Sequence, residues 1–150
     1  MAHLAELLRI RHLLTEAATL VSSGWVQHGW FSTAGPSGQR HVVTAHTMGA
    51  MSDEPISGAC LVGAIVHAGG GPAAVHTQLV QRTLDLTWHT LYEDARQPVR
   101  WCPPPPLRMA HVRDLTRWND GPERTSAQVS DLLHGAIGTA NVETARLRVG

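Results

Sequence analysis

The sequence predicts a mainly α-helical domain, about five helices with one small β-hairpin, which is α+β by strict counting. Apolar residues recur at helical spacing in several separate stretches. Two short β-prone runs flank a Gly/Pro/Ser loop. Helix-capping and helix-stopping residues stand at the ends of the periodic stretches.

The first helix is predicted over 2–21. Leu7, Ile10, Leu14, Ala17 and Val21 form its inner stripe, Leu4 and Leu13 widen it, and Gly24 supplies the stop. Then "WVQHGWF" and "HVVTAHT" flank "STAGPSGQR", the pattern of a hairpin with a long loop. "MGAMSDEPI" reads as loop. "SGACLVGAIVHAGGG" reads as a short buried helix with Ser57 as N-cap and the Gly69-Gly70-Gly71 run as its end. Pro72 fits the first turn of a third helix running to about residue 94, with Val75, Leu79, Val80, Leu84, Leu86, Trp88 and Leu91 on a broad apolar face. "QPVRWCPPPP" is read as extended, polyproline chain. A fourth helix is expected over 107–117, with Val112 and Leu115 inward. The fifth begins at Thr125 or Ser126 and buries Val129, Leu132, Leu133, Ala136 and Ala140; Thr125 and Gln128 match a capping box. The chain reads as one domain over 1–150, with its core in 4–140 and 141–150 as a tail, helical or frayed.

Composition excludes several functions. Twelve Arg balance twelve Asp plus Glu, and Lys is absent. A net charge near zero offers little to phosphate backbones or anionic membranes, so nucleic acid is a disfavoured partner. Two Cys in 150 residues are too few for a disulfide scaffold. The charged N-terminal segment is no signal peptide, and the most apolar run is too short to span a bilayer. A cytoplasmic protein is the expectation. Five of the seven aromatic residues are Trp, and Trp25, Trp30, Trp101 and Trp118 are candidates for a partner-facing surface.

Ten His residues raise the question of a metal site. No two stand three or four apart, so no helix presents a two-His face, and no metal or cofactor is expected. Cys60 and His67 share a helix face but lie about 10 Å apart, too far for a thiol–imidazole bond. Packing is the better reading of Cys60, and Cys102 is expected to be inert. "AGGGPAAV" lacks the Lys-Ser/Thr of a phosphate loop and reads as a turn between helices. The last stretch, with Arg146 and Arg148, has the outline of a helix-turn-helix, but its Arg-bearing second segment is only weakly amphipathic.

"WNDGPERT", residues 118–125, is the most informative stretch. Asn119 and Asp120 start turns by bonding nearby backbone amides, Asp120 and Glu123 suit the positive end of the following helix, and Trp118 can pin the corner. Arg124 can pair with Asp120 or reach a ligand. A corner between two helices accounts for the whole block.

Together with Ser23-Gly24-Trp25 and the Cys60-x-x-Gly63-Ala64-Ile65 run, this corner resembles a small uncharacterised domain family of bacteria and their phages. The resemblance spans about residues 4–140. It departs from the family pattern in the Gly-Pro-Glu before Arg124, where Pro-Gly is more frequent, and in the hairpin loop and Pro run. It implies a fold and carries no activity.

The sequence thus points to a small non-enzymatic binding or regulatory module with an unknown protein or small-molecule partner. Trp25, Trp118, Asn119, Asp120 and Arg124 are its candidate ligand- or partner-binding residues, and no residue is assigned a catalytic role. Two alternatives stay open. One is a small hydrolase-like enzyme using Cys60 or Asp120 with a His brought in by tertiary structure. The other is nucleic-acid binding through Arg108, Arg113, Arg117 and Arg124.

Overall fold

The computed structural model describes residues 2–34, 40–44, 55–94, 96–101 and 105–149. Helix α1 spans Ala2–Ser23. Strands β1 (Phe31–Ala34), β2 (Arg40–Val43) and β3 (Ile56–Ala59) precede α2 (Leu61–Ala68). A short 3-10 helix (Pro72–His76) leads to α3 (Gln78–Tyr92), then α4 (Pro105–Asn119) and α5 (Ser126–Val149). The molecule is mainly α with a small sheet, as expected.

The helical stripes meet in one interior. Leu7, Ile10, Leu14, Ala17 and Val21 of α1 are buried, as are Val129, Leu132, Leu133, Ala136 and Ala140 of α5. Helix α1 lies chiefly against α5 and α2, and α3 against α5 and α4. Polar contacts fix the registers at the rim. Arg11 donates to Asn141 across α1 and α5 at 3.2 Å. Gln78 and Arg82 of α3 both donate to the Glu6 carboxylate of α1. Helix α5 opens as its capping box requires: Gln128 N donates to Thr125 Oγ1 at 3.2 Å, and Thr125 N to Gln128 Oε1 at 3.0 Å. Thr125→Ala removes half of that exchange and is expected to destabilise by about 1 kcal/mol, read from urea unfolding.

The hairpin is present, with Phe31 opposite Val43 and Ala34 opposite Arg40, but a third strand was missed. The sheet is three-stranded and antiparallel, in the order β2-β1-β3, with the fully buried Phe31 on the central strand. Ser57 is therefore a strand residue and not the cap of α2. The physical reason lies in the backbone beside it. The chain leaving α1 runs along β3, so that Ala59 N donates to Gly24 O at 2.9 Å and Val26 N to Ala59 O at 3.2 Å. With both polar groups of Ala59 held in this pairing, the helix begins only after Cys60. A Cβ at Gly24 would come within 2.3 Å of Ser57 O, so glycine permits this approach as well as ending α1.

Other boundaries moved too. The stretch expected as one helix from Pro72 is a 3-10 turn followed by α3, because Thr77 caps α3 through its Oγ1, which accepts from Val80 N at 3.3 Å. Helix α4 starts at Pro105, so the expected extended run does not reach that far; a helix's first turn needs no amide donor and proline fits it. Residues 103–104 and Cys102 lie outside the described residues. Helix α5 continues unbroken to Val149, the helical one of the two readings of the tail, and leaves no turn for a helix-turn-helix. Buried Glu143 holds that last part down by accepting from Val99 N at 3.3 Å.

Candidate functional site

The corner between α4 and α5 is built around Asn119, which is fully buried. Its Oδ1 accepts from the Trp25 indole Nε1 at 2.8 Å and from Leu61 N, the first amide of α2, at 3.1 Å. Its Nδ2 donates to Val26 O at 3.1 Å and to Asp120 Oδ1 at 3.0 Å. One carboxamide thus ties together the chain after α1, the start of α2 and the end of α4. Gln27 adds a second tie, its Nε2 donating to Asn119 O at 3.1 Å and Gly121 O at 2.8 Å.

Asp120 sits at the outer edge of this network. Its Oδ1 also accepts from His28 N at 2.9 Å, and its Oδ2 is 3.8 Å from His28 Nδ1. His28 has φ 62° in the left-handed region, where among the described residues no other non-glycine residue stands. Its side chain is 76% exposed, so the imidazole projects from a fixed backbone into solvent. Alongside runs a groove of about 280 Å³ lined by Trp25, Val26, Gln27 and Val42.

Arg124 turns inward. Its guanidinium lies 4.0 Å over the Trp118 ring, and Nε donates to Trp118 O at 2.8 Å. The loop is closed by Gly121 N to Trp118 O and Arg124 N to Gly121 O. The structure therefore brings all five candidate residues, Trp25, Trp118, Asn119, Asp120 and Arg124, into one region. Asn119 and Arg124 are engaged in binding the corner together, and the Trp25 N–H is engaged by Asn119. His28 projects into solvent, with Asp120 and Gln27 part-buried beside it at the outer edge of the network. Trp101 has another setting, edge-on to the His3 ring and beneath the Arg82 guanidinium.

Cys60 is the N-cap of α2, its Sγ accepting from Gly63 N at 3.2 Å, and it is 1% exposed. Burial, opposed by the bond from Gly63 and reinforced by the charge of Asp120, pushes the thiol up to about 12. No His hydrogen-bonds to it among the described residues, so a Cys60 nucleophile has neither access nor a base. In a Cys102→Ser background, Cys60 is expected to react with an aromatic disulfide reagent at least about 100-fold more slowly in the folded protein than in urea. Equal rates would place the thiol at the surface.

Sequence reasoning missed His28, Gln27 and a second polar cluster. Asp85 of α3 is 2% exposed, and the His111 Nδ1 of α4 donates to its Oδ1 at 3.1 Å. The His111 ring stacks on Trp88, with centroids 4.1 Å apart. One turn on, buried His89 bonds Glu93 at 2.8 Å. An Asp set between two leucines, Leu84 and Leu86, was the available signal for that cluster. Nothing in the sequence signals a left-handed His28.

Among the described residues no group of three or more His, Cys, Asp or Glu is placed to hold a metal ion. No described helix is long and apolar enough to cross a membrane. Of the Arg candidates for nucleic acid, Arg124 is engaged with Trp118, and Arg113 pairs with Asp114 at 3.5 Å.

No curated protein and no solved structure is detectably similar to this chain. A hub joining Trp25 to Asn119 needs most of the chain in order to form. A family model matches residues 6–139, a span that takes in most of α1, the sheet, the hub and more than half of α5, and the chain belongs to that family, the family of unknown function DUF6197.

Proposed function

We propose that this protein is a non-enzymatic binding module whose binding face is the outer side of the corner: Asp120, His28, Gln27 and the adjoining groove along Trp25 and Val42. The observation that carries this reading is the backbone of His28. A left-handed residue with a Cβ is strained by roughly 1–2 kcal/mol, and such strain persists where it serves a function. Here it points an exposed imidazole outward beside a carboxylate, on a loop fixed by the Asn119 hub. A preorganised polar group next to a small groove suits a protein or small-molecule partner. The inward turn of Arg124 argues against a phosphate-reading role for it. The resemblance to a domain family of bacteria and their phages supports such a source, the Arg-only basic composition a high-G+C genome, and the scarcity of cysteine a cytoplasmic location.

The test compares wild type with His28→Gly. Glycine removes the Cβ strain, so the variant is expected to match wild-type stability or exceed it by up to about 1 kcal/mol. A library of soluble fragments, followed by amide and indole NMR shifts, is expected to perturb the Trp25 indole and the Gln27, His28 and Asp120 amides in wild type, and to lose those hits in the variant. Loss of more than about 1 kcal/mol in the variant would make His28 a structural residue, and fragment hits confined to other surfaces would move the site elsewhere.

A further inference from the structure

A second, independent concavity lies on another part of the molecule, where α1 passes the end of α2 and the start of α3. It measures about 350 Å³ and is walled by Leu8, Leu13, Ala68 and Leu79, with Arg9 and His12 on the rim. Leu8 lies off the core stripe of α1 and is 38% exposed. Arg9 makes no hydrogen bond or ion pair to another described residue. His12 lies 3.0 Å from Glu16, one turn along, and Arg9 is the permanent cation among the residues that line the groove.

We propose that this groove binds a medium-chain fatty carboxylate, its tail along Leu8, Leu13, Ala68 and Leu79 and its carboxylate on Arg9. The volume is at the lower end for small-molecule sites, which are mostly apolar with a few placed polar groups. The walls are helices, so no open sheet edge is offered to an extended peptide. One apolar trough with one unpaired cation at its rim matches a single linear chain bearing one negative charge. The Arg9 guanidinium can take such a carboxylate through two parallel hydrogen bonds.

The probe is sodium decanoate below its micelle concentration, with decanol and acetate as controls and leucine-methyl NMR as the readout. Saturable shifts are expected at the methyls of Leu8, Leu13 and Leu79. Acetate is expected to leave these methyls unmoved. Arg9→Gln is expected to weaken decanoate about tenfold while leaving decanol unchanged. Leu8→Gln is expected to weaken both. Both positions are at the surface, and far-ultraviolet circular dichroism confirms that the variants fold. Non-saturating shifts spread over the protein, absence of shifts at these methyls, or equal decanoate binding by wild type and Arg9→Gln would each overturn the proposal. None of these outcomes bears on the His28 face, whose readouts are different nuclei.

Discussion

Asn119→Ala is expected to destabilise the protein by about 4 kcal/mol in urea unfolding. The substitution deletes no large apolar group, so cavity formation is a minor part of the effect. The loss comes from the groups left behind. Leu61 N loses an acceptor and Val26 O a donor in the buried interior, and the half-buried Trp25 Nε1 loses the same acceptor. Each stranded buried group costs about 1–3 kcal/mol. Asn119→Asp separates the two halves of the carboxamide. It keeps the acceptor for Trp25 and Leu61 but offers Val26 O no donor, and it sets a second carboxylate oxygen where Nδ2 now lies 3.0 Å from Asp120 Oδ1. It is expected to be at least as damaging as alanine. Trp25→Phe keeps the ring and removes a single donor, so about 1 kcal/mol is expected. A loss below about 1 kcal/mol for Asn119→Ala would show that the corner is held by apolar packing alone.

These variants explain why the corner was only half legible in the sequence. Its local chemistry was readable: Asn and Asp at a turn, Gly-Pro continuing it, Thr125 and Gln128 opening the next helix. Local preferences act over three or four residues, and the capping and stop signals of α1 and α5 fell in the right places for that reason. The partner of Asn119 stands 94 residues away, and no local pattern specifies such a pair. The missed strand has the same origin. Ile56–Ala59 is too short and too Gly/Ser-rich to announce itself, and it is a strand because β1 and the chain after α1 lie on either side of it. The apolar stripes were legible throughout, because each is a periodic property of one segment. What the stripes do not encode is which polar side chain closes the gap between two of them.

Helix α4 raises that question most sharply, because Leu115 is the only fully buried apolar side chain on it among the described residues. Beside Val112 and Trp118, which pack against the core, two polar contacts hold it: Asn119 at its C-terminal end and His111 in its middle. Asp85→Leu removes the partner of the His111 Nδ1, and His111→Phe keeps a ring against Trp88 while taking one hydrogen bond from the Asp85 carboxylate. Each single change is expected to destabilise by about 3 kcal/mol, since each takes a hydrogen bond from a buried polar group. The double variant replaces the pair by apolar groups of similar size and is expected to recover at least half of the summed loss, a coupling of about 3 kcal/mol in a double-mutant cycle. Additive single effects would show that Asp85 and His111 act separately and that α4 is located by its ends. Strong coupling with a stable double variant would show that the pair selects the seating of α4 more than it stabilises it. The double variant then offers a further reading: if α4 loses its unique seating, the Trp88 and Tyr92 rings packed beside it, at 5.5 Å between centroids, lose their near-ultraviolet dichroism while the helix content stays constant.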